Sequence, residues 1–264
     1  MIAEIGILED RLGEIAELVG RGAHLVELGS GASVKIRTLL NALPDLAQYT
    51  AVDISRDFLL QSAETLAIDY PGLDVAAICA DYTQTFEILP PVNRQSSRNV
   101  AFFPGSTIGN FTRDEAKTFL TRLHWILGPG SGLLIGVDLK KDSDILHAAY
   151  NDARGVTAEF NLNLLARINR ELGGDFDLAH FSHRAIYVPD EGRIEMHLVS
   201  SADQSVSVGG FRFAFAAGEH IHTENSHKYS VNEFRELCGR AGYNPVASWT
   251  DAKDLFSVHY FTAE

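Results

Sequence analysis

Apolar positions change their period along the chain, and the changes mark out the elements. Leu8, Leu12, Ile15 and Val19 keep helical spacing and Gly20 follows, which predicts a helix over residues 8–19. The run HLVEL predicts a short buried strand over 24–28. Ile36, Leu39, Leu40 and Leu43 share one face of a helix over 33–43, and a strand over 49–54 follows. Phe58, Leu59, Ala63 and Leu66 mark another helix, and strands are predicted over 75–79 and 100–103. Thr112 and Glu115 form a capping box for a helix that turns Phe119, Leu120, Leu123 and Leu127 inward. A fifth strand is predicted over 133–137. Short apolar strands alternating with helices make a parallel sheet wrapped by helices, an α/β architecture.

The rhythm changes after Lys140. Val156, Phe160, Leu164, Ile168 and Leu172 mark one long helix, ended by Gly173-Gly174. Strand-like runs at 185–188, 194–199 and 211–215 are separated by turns and predict one antiparallel sheet. A second capping box, Ser230 with Glu233, opens a helix using Phe234, Leu237 and Ala241 and stopping at Gly242. Runs at 245–249 and 256–261 read as a terminal antiparallel pair. The expected division is residues 1–140 with 228–264 as the parallel-sheet domain, and 141–227 as an inserted α+β unit.

Composition removes several classes of function. The 264 residues are 45% hydrophobic and 22% charged, enough to bury a core. With 22 basic and 35 acidic residues the net charge is −13, which disfavours nucleic acid and anionic membranes as partners. Cys79 and Cys238 are the only cysteines, so neither a disulfide framework nor a cysteine–zinc site organises the fold. No apolar stretch approaches a membrane span and the N-terminus is not a signal peptide, so the expected compartment is the cytoplasm. The oligomeric state is left open, a monomer included.

The sharpest local motif is ELGSGAS, from Glu27 to Ser33, between the first strand and its helix. Gly29 and Gly31 allow a tight turn and close approach of a ligand to the backbone. The dinucleotide fingerprint wants a third glycine where Val34 stands, which disfavours an oxidoreductase. An acid two residues before the first glycine suits S-adenosylmethionine, whose tail carries an ammonium and no pyrophosphate. Lys35 is placed to meet the tail's carboxylate. Asp53, ending the second strand, suits the ribose hydroxyls; Asp81 suits the adenine amino group and Tyr82 the ring. Taken singly, the glycines also read as a turn and the two aspartates as helix caps.

These residues, with VELGSGASVKIR, AVDIS, FFPGSTIGN, AAYNDARGVTAEFN, INRELGGDFD, IEMHLVS and AAGEHIHTENSHKYS, resemble the histidine N-alpha-methyltransferases of ergothioneine biosynthesis. The resemblance runs from about Glu4 to the C-terminus. It implies a Rossmann-like S-adenosylmethionine methyltransferase sheet with an inserted α+β substrate-binding domain. It also implies up to three methyl transfers to the α-amine of L-histidine. Gly29, Lys35, Asp53, Asp81 and Tyr82 match cofactor-binding positions. Asn110 and Tyr150 match contacts to the substrate amino acid and are the candidates for orienting its amine in catalysis. Glu224 and Ser226 match the residues that hold the imidazole, and Met196 a pocket wall.

The physical chemistry agrees, because Glu224 accepts from one ring nitrogen and Ser226 can serve the other. Family members begin with about 50 further residues, a length small beside a domain, that wall the substrate pocket. A chain without that wall is expected to bind cofactor while its histidine binding and rate suffer. The alternatives are a relative acting on another histidine-type or aromatic amino acid, and a catalytically impaired S-adenosylmethionine-binding module. His220 and His222 alternate, His227 follows, and His180 and His183 lie three apart, but spacing alone is weak evidence and no metal is expected.

Overall fold

The computed structural model describes residues 2–264 except 31–33, 44 and 94, and says nothing of the Val34 side chain. Gly31, and Ser33 as the predicted helix start, lie outside the described residues. The chain opens with α1 (Ile2–Asp10), α2 (Leu12–Val19), β1 (His24–Leu28), α3 (Val34–Ala42) and β2 (Gln48–Asp53). Then come α4 (Arg56–Asp69), β3 (Val75–Cys79), β4 (Asn99–Phe103), α5 (Arg113–Leu127) and β5 (Gly132–Asp138). The middle segment contains α6 (Ser143–Tyr150), α7 (Val156–Leu172), β6 (Phe181–Val188) and β7 (Arg193–Ser200). It continues through β8 (Gln204–Val208), β9 (Phe211–Phe215) and β10 (His220–His227). The chain closes with α8 (Val231–Gly239), β11 (Tyr243–Thr250) and β12 (Phe256–Ala263).

Residue contacts divide the chain into two units, 1–139 with 229–264 and 140–228. The first is built on a seven-stranded sheet in the order β11-β12-β5-β4-β1-β2-β3. Neighbours from β3 to β5 are parallel, whereas β12 runs antiparallel to both β5 and β11. Successive side chains on a strand point to opposite faces, so each strand feeds two cores. Leu25, Phe102, Leu134 and Tyr260 pack with Leu8, Ile15, Ile36, Leu39 and Leu59 on one face. Val26, Phe103, Ile135 and Phe261 pack with Phe119, Leu123, Phe234 and Leu237 on the other. A parallel sheet covered on both sides buries both faces of its strands, and β1 is buried at all five positions, His24 and Glu27 included.

Both capping boxes form as expected: Thr112 with Glu115 at α5, and Ser230 with Glu233 at α8. Other expectations need correction. The helix expected over 8–19 is two helices that begin at Ile2 and break at Arg11 (φ −112°, ψ 13°). Gly13, which disfavours helix, lies in the first turn after the break. Phe58 is exposed while Leu59, Ala63 and Leu66 carry the buried face of α4. The last helix ends at Gly239, before the buried Ala241.

In the second unit, β10-β7-β6 form one antiparallel sheet and β8-β9 a separate hairpin. The run at 211–215 therefore does not join β6 and β7 in one sheet. β8 and β10 were not expected as strands because QSVSV and HIHTENSH are mostly polar. Leu165, Phe176, Phe181, Leu198 and Val206 make one small core, and Leu146, Ala185, Ile194 and Met196 another. Val156, Phe160 and Leu164 lie exposed on α7, whose buried residues are Asn161 and Leu165.

Candidate functional site

In the first unit, the carboxyl ends of β1 to β5 share one edge because those strands run parallel. Gly29 leaves β1 at φ 73°, a conformation that disfavours side chains, and its N–H donates to Val52 O at 2.9 Å. A Cβ there would lie 3.6 Å from the Tyr82 ring, so the turn packs directly on that tyrosine. Tyr82 is half-buried against Phe103 and Phe119, its ring edge-on to both. Burial raises its pKa, and the charges of Asp53 and Asp81 raise it further.

Asp53 accepts from the Ser55 N–H through Oδ1 at 2.8 Å. Asp81 accepts from the Thr83 hydroxyl at 2.6 Å and the Thr83 N–H at 2.8 Å, and these bonds lower its pKa. Both aspartates thus hold local turns, which accounts for part of their placement. Glu27 is 3% exposed and accepts from the Tyr49 hydroxyl at 2.5 Å. Burial pushes its carboxyl up to about 7, although that bond and the Lys35 charge pull the other way.

Lys35 has a partner that the sequence reading missed: its Nζ lies 2.5 Å from Oε2 of Glu4, which is 1% exposed. The loop after β4 comes to the same carboxylate, for the Gly105 N–H donates to Glu4 Oε1 at 2.8 Å. Ser106, in the left-handed region at φ 56°, accepts from the Asp138 N–H at 2.9 Å. The loop ends in a 3-10 turn, Thr107–Asn110, that leaves Asn110 exposed.

In the second unit, four predicted residues meet on one face. Glu224 is the register partner of Met196, and the bulge between His222 and Glu224 sets its phase. Tyr150, the last residue of α6, places its hydroxyl 2.8 Å from Ser226 Oγ. A fifth residue, Lys228, was not foreseen. It is fully buried, and its Nζ donates to Tyr150 Oη at 2.8 Å and to Ser226 Oγ at 2.9 Å. Its signal was partly available: Glu224 and Ser226 alternate on β10 and so share one face, and Lys228 continues that alternation one residue beyond the strand's end. Burial raises the pKa of Glu224, opposed by the positive charge of Lys228. With Lys228 donating to both oxygens, Tyr150 and Ser226 hold one hydroxyl proton between them and have one to give.

The histidines fall elsewhere. His180 pairs with Asp177 at 3.0 Å, and His183 sits between Asn161 and Tyr150 O. Glu195, His197 and His222 bring potential ligand atoms within 4.8 Å of one another, on the strand face opposite Met196. Their groups already serve each other: Glu195 accepts from Arg193 at 2.6 Å and meets His197 at 3.1 Å, and His222 Nε2 meets Glu224 O at 3.1 Å. Among the described residues, no helix is long and apolar enough to cross a membrane.

A family model described as histidine-specific methyltransferase, SAM-dependent, matches residues 1–263. Histidine N-alpha-methyltransferase of Mycolicibacterium smegmatis is 41% identical over 260 residues, covering 97% of this chain and 79% of that one. The Mycobacterium tuberculosis protein of the same name is 40% identical over 261 residues, covering 97% and 80%. Among solved structures, an S-adenosylmethionine-dependent methyltransferase from Clostridium acetobutylicum superposes with a TM-score of 0.54 at 13% identity. That match covers 98% of this chain and 92% of the other, and it shows a shared fold.

Proposed function

Because the chain belongs to the family of histidine-specific, S-adenosylmethionine-dependent methyltransferases, we propose that it methylates the α-amine of L-histidine and that two sets of residues divide the work. Gly29, Lys35, Asp53, Asp81 and Tyr82 serve the cofactor. Tyr150, Met196, Glu224 and Ser226 serve the amino acid, with Asn110 as a further contact. The observation that carries the second assignment is the meeting of Glu224, Ser226, Tyr150 and Met196 on one face.

The cofactor residues suit the group. Gly29 lets the backbone approach a ligand, Asp53 ends β2 and Asp81 follows the neighbouring β3, and Glu27 is a buried acid that gains from an incoming cation. When bound, S-adenosylmethionine supplies a methyl group already activated on a sulfonium, so the protein's task is alignment. Glu224 accepts a hydrogen bond from one imidazole nitrogen. The spare hydroxyl proton of the Tyr150–Ser226 pair serves the other nitrogen or the amine. The attacking amine must be neutral, and Tyr150 and Asn110 orient it without acting as obligatory bases. Met196 supplies an apolar wall that lets the nitrogen turn between successive transfers.

This reading sets an order among substrates. A site that hydrogen-bonds both ring nitrogens leaves polar groups unpaired with indole or phenyl. Turnover of L-histidine is expected to exceed that of L-tryptophan and L-phenylalanine by roughly 100-fold or more in kcat/KM. Comparable values for histidine and tryptophan would contradict the imidazole assignment.

Glu27 gives a pH dependence. Burial raises its carboxyl from 4.5 to about 7 in the unliganded protein. Its contribution to folding stability is therefore complete below about 4.5 and is lost as pH rises through 7. The cofactor's ammonium favours the ionised form, so binding near pH 6.5 is expected to release protons and affinity to rise with pH up to about 7. Calorimetric titrations in buffers of different ionisation enthalpy measure that release, and Glu27→Gln should remove it. Heats independent of buffer would refute the role.

A further inference from the structure

Glu4 combines three features that a helix on the surface of a sheet does not need. It is an acid on the apolar face of α1, beside the buried Ile7 and Leu8. It is almost fully inaccessible, and a buried carboxylate is costly unless it is paired and hydrogen-bonded. Both kinds of partner are present: the Lys35 ammonium on Oε2 and the Gly105 N–H on Oε1. Two glycines make the room. A Cβ on Gly136 would collide with the carboxylate itself, and one on Gly105 would stand 3.2 Å from Lys35 Nζ. The backbone at Gly105, at φ 83°, turns its N–H to the acid.

We propose that Glu4 is a positioning residue for the cofactor's amino-acid tail: one buried carboxylate fixes both the lysine that receives the tail's carboxylate and the loop that leads to Asn110. The inference rests on the reading that Lys35 receives that carboxylate. A lysine has a long flexible stem, and an ammonium held in advance loses less freedom when its ligand arrives. The Glu4 anion sets where the ammonium sits. The Gly105 bond sets the start of the 104–110 segment against the same anion, so the cofactor's tail and the Asn110 turn take their positions from one group.

The test separates this role from simple stapling of α1 to the sheet. S-adenosylhomocysteine carries the amino-acid tail, whereas 5′-methylthioadenosine has the same nucleoside and thioether without it. Glu4→Gln keeps an acceptor for Gly105 and removes the negative charge that holds the Lys35 ammonium. Titration calorimetry on the full chain should then show S-adenosylhomocysteine binding weakened about tenfold, with methylthioadenosine binding unchanged. Lys35→Ala should give a similar selective loss, and adding Glu4→Gln to it should cost nothing more, because the two act as one unit. If Glu4→Gln is too unstable to titrate, Glu4→Asp, which draws the charge back by one methylene, must show the same selectivity.

Equal losses for both ligands, or full additivity in the double variant, would overturn the proposal. Tighter binding of S-adenosylhomocysteine would also overturn it, by making Glu4 a competitor for Lys35. Failure of the native chain to bind either ligand, or selective loss from Glu4→Gln with none from Lys35→Ala, would instead strike the cofactor assignment beneath it.

Discussion

Asp53→Ala is expected to abolish measurable cofactor binding while leaving the protein folded. The residue ends β2 at the carboxyl edge of a parallel sheet, where ligands of such sheets bind. β2 lies between β1 and β3 in the sheet, which puts Asp53 between the glycine turn and the β3 end. A single carboxylate can accept from both hydroxyls of a ribose, and bonds to a charged group contribute about 1.5–3 kcal/mol each. Losing two of them corresponds to a fall in affinity of roughly 10²–10⁴-fold. The side chain also accepts from the Ser55 N–H at the head of α4, so Asp53→Asn is the sharper variant. It keeps that turn and removes the charge, and an intermediate loss is expected. Titration of S-adenosylhomocysteine, with circular dichroism to confirm the fold, measures both. Unchanged affinity in Asp53→Ala would refute the ribose role.

The second large effect is expected at Glu224. Its carboxylate faces Met196 across the strand pair and shares its face with Ser226 and Tyr150. Glu224→Ala removes the acceptor for an imidazole N–H from a half-buried position, so the ring nitrogen is left unpaired. The expected result is a rise in KM for histidine of roughly 100-fold, with the affinity for S-adenosylhomocysteine within about twofold of the native value. The raised pKa adds a second signature. The ionised carboxylate accepts more strongly than the acid, so histidine binding weakens as pH falls through a value above that of a free glutamate. Glu224→Gln, which cannot titrate, should lack this acid limb. Equal losses of histidine and cofactor affinity in Glu224→Ala would contradict the assignment.

The sheet of the first unit was legible because its strands are short, mostly apolar runs and its helices carry clear stripes and capping boxes. HLVEL reads as a strand because the run is short and closes on a glycine turn, and Thr112 with Glu115 announces α5. β10 was not legible, since in HIHTENSH only Ile221 is apolar, and its strand character comes from pairing with β7. The outward turn of Phe58 was hidden because a helical period allows a neighbouring stripe, and burial of Leu59 fixed the phase.

At the site, the glycine turn and the aspartates at successive strand ends could be read as a cofactor edge from their register alone. Glu224 could not be chosen from 35 acids without the family resemblance. Glu4 and Lys228 were missed for a shared reason: each is a charged residue that folding buries beside an opposite charge or a pair of hydroxyls. Glu4 did leave a trace, an acid at i with Ile7 and Leu8 at i+3 and i+4, on the face that a helix turns inward.

The most direct test is the product itself. The purified chain is incubated with L-histidine and S-adenosylmethionine carrying a deuterated methyl group, and products are fragmented by mass spectrometry. The account predicts stepwise gain of labelled methyl groups, all lost with the α-amine and none retained on the imidazole. Label on a ring nitrogen, or no labelled histidine while S-adenosylmethionine is bound, would contradict it.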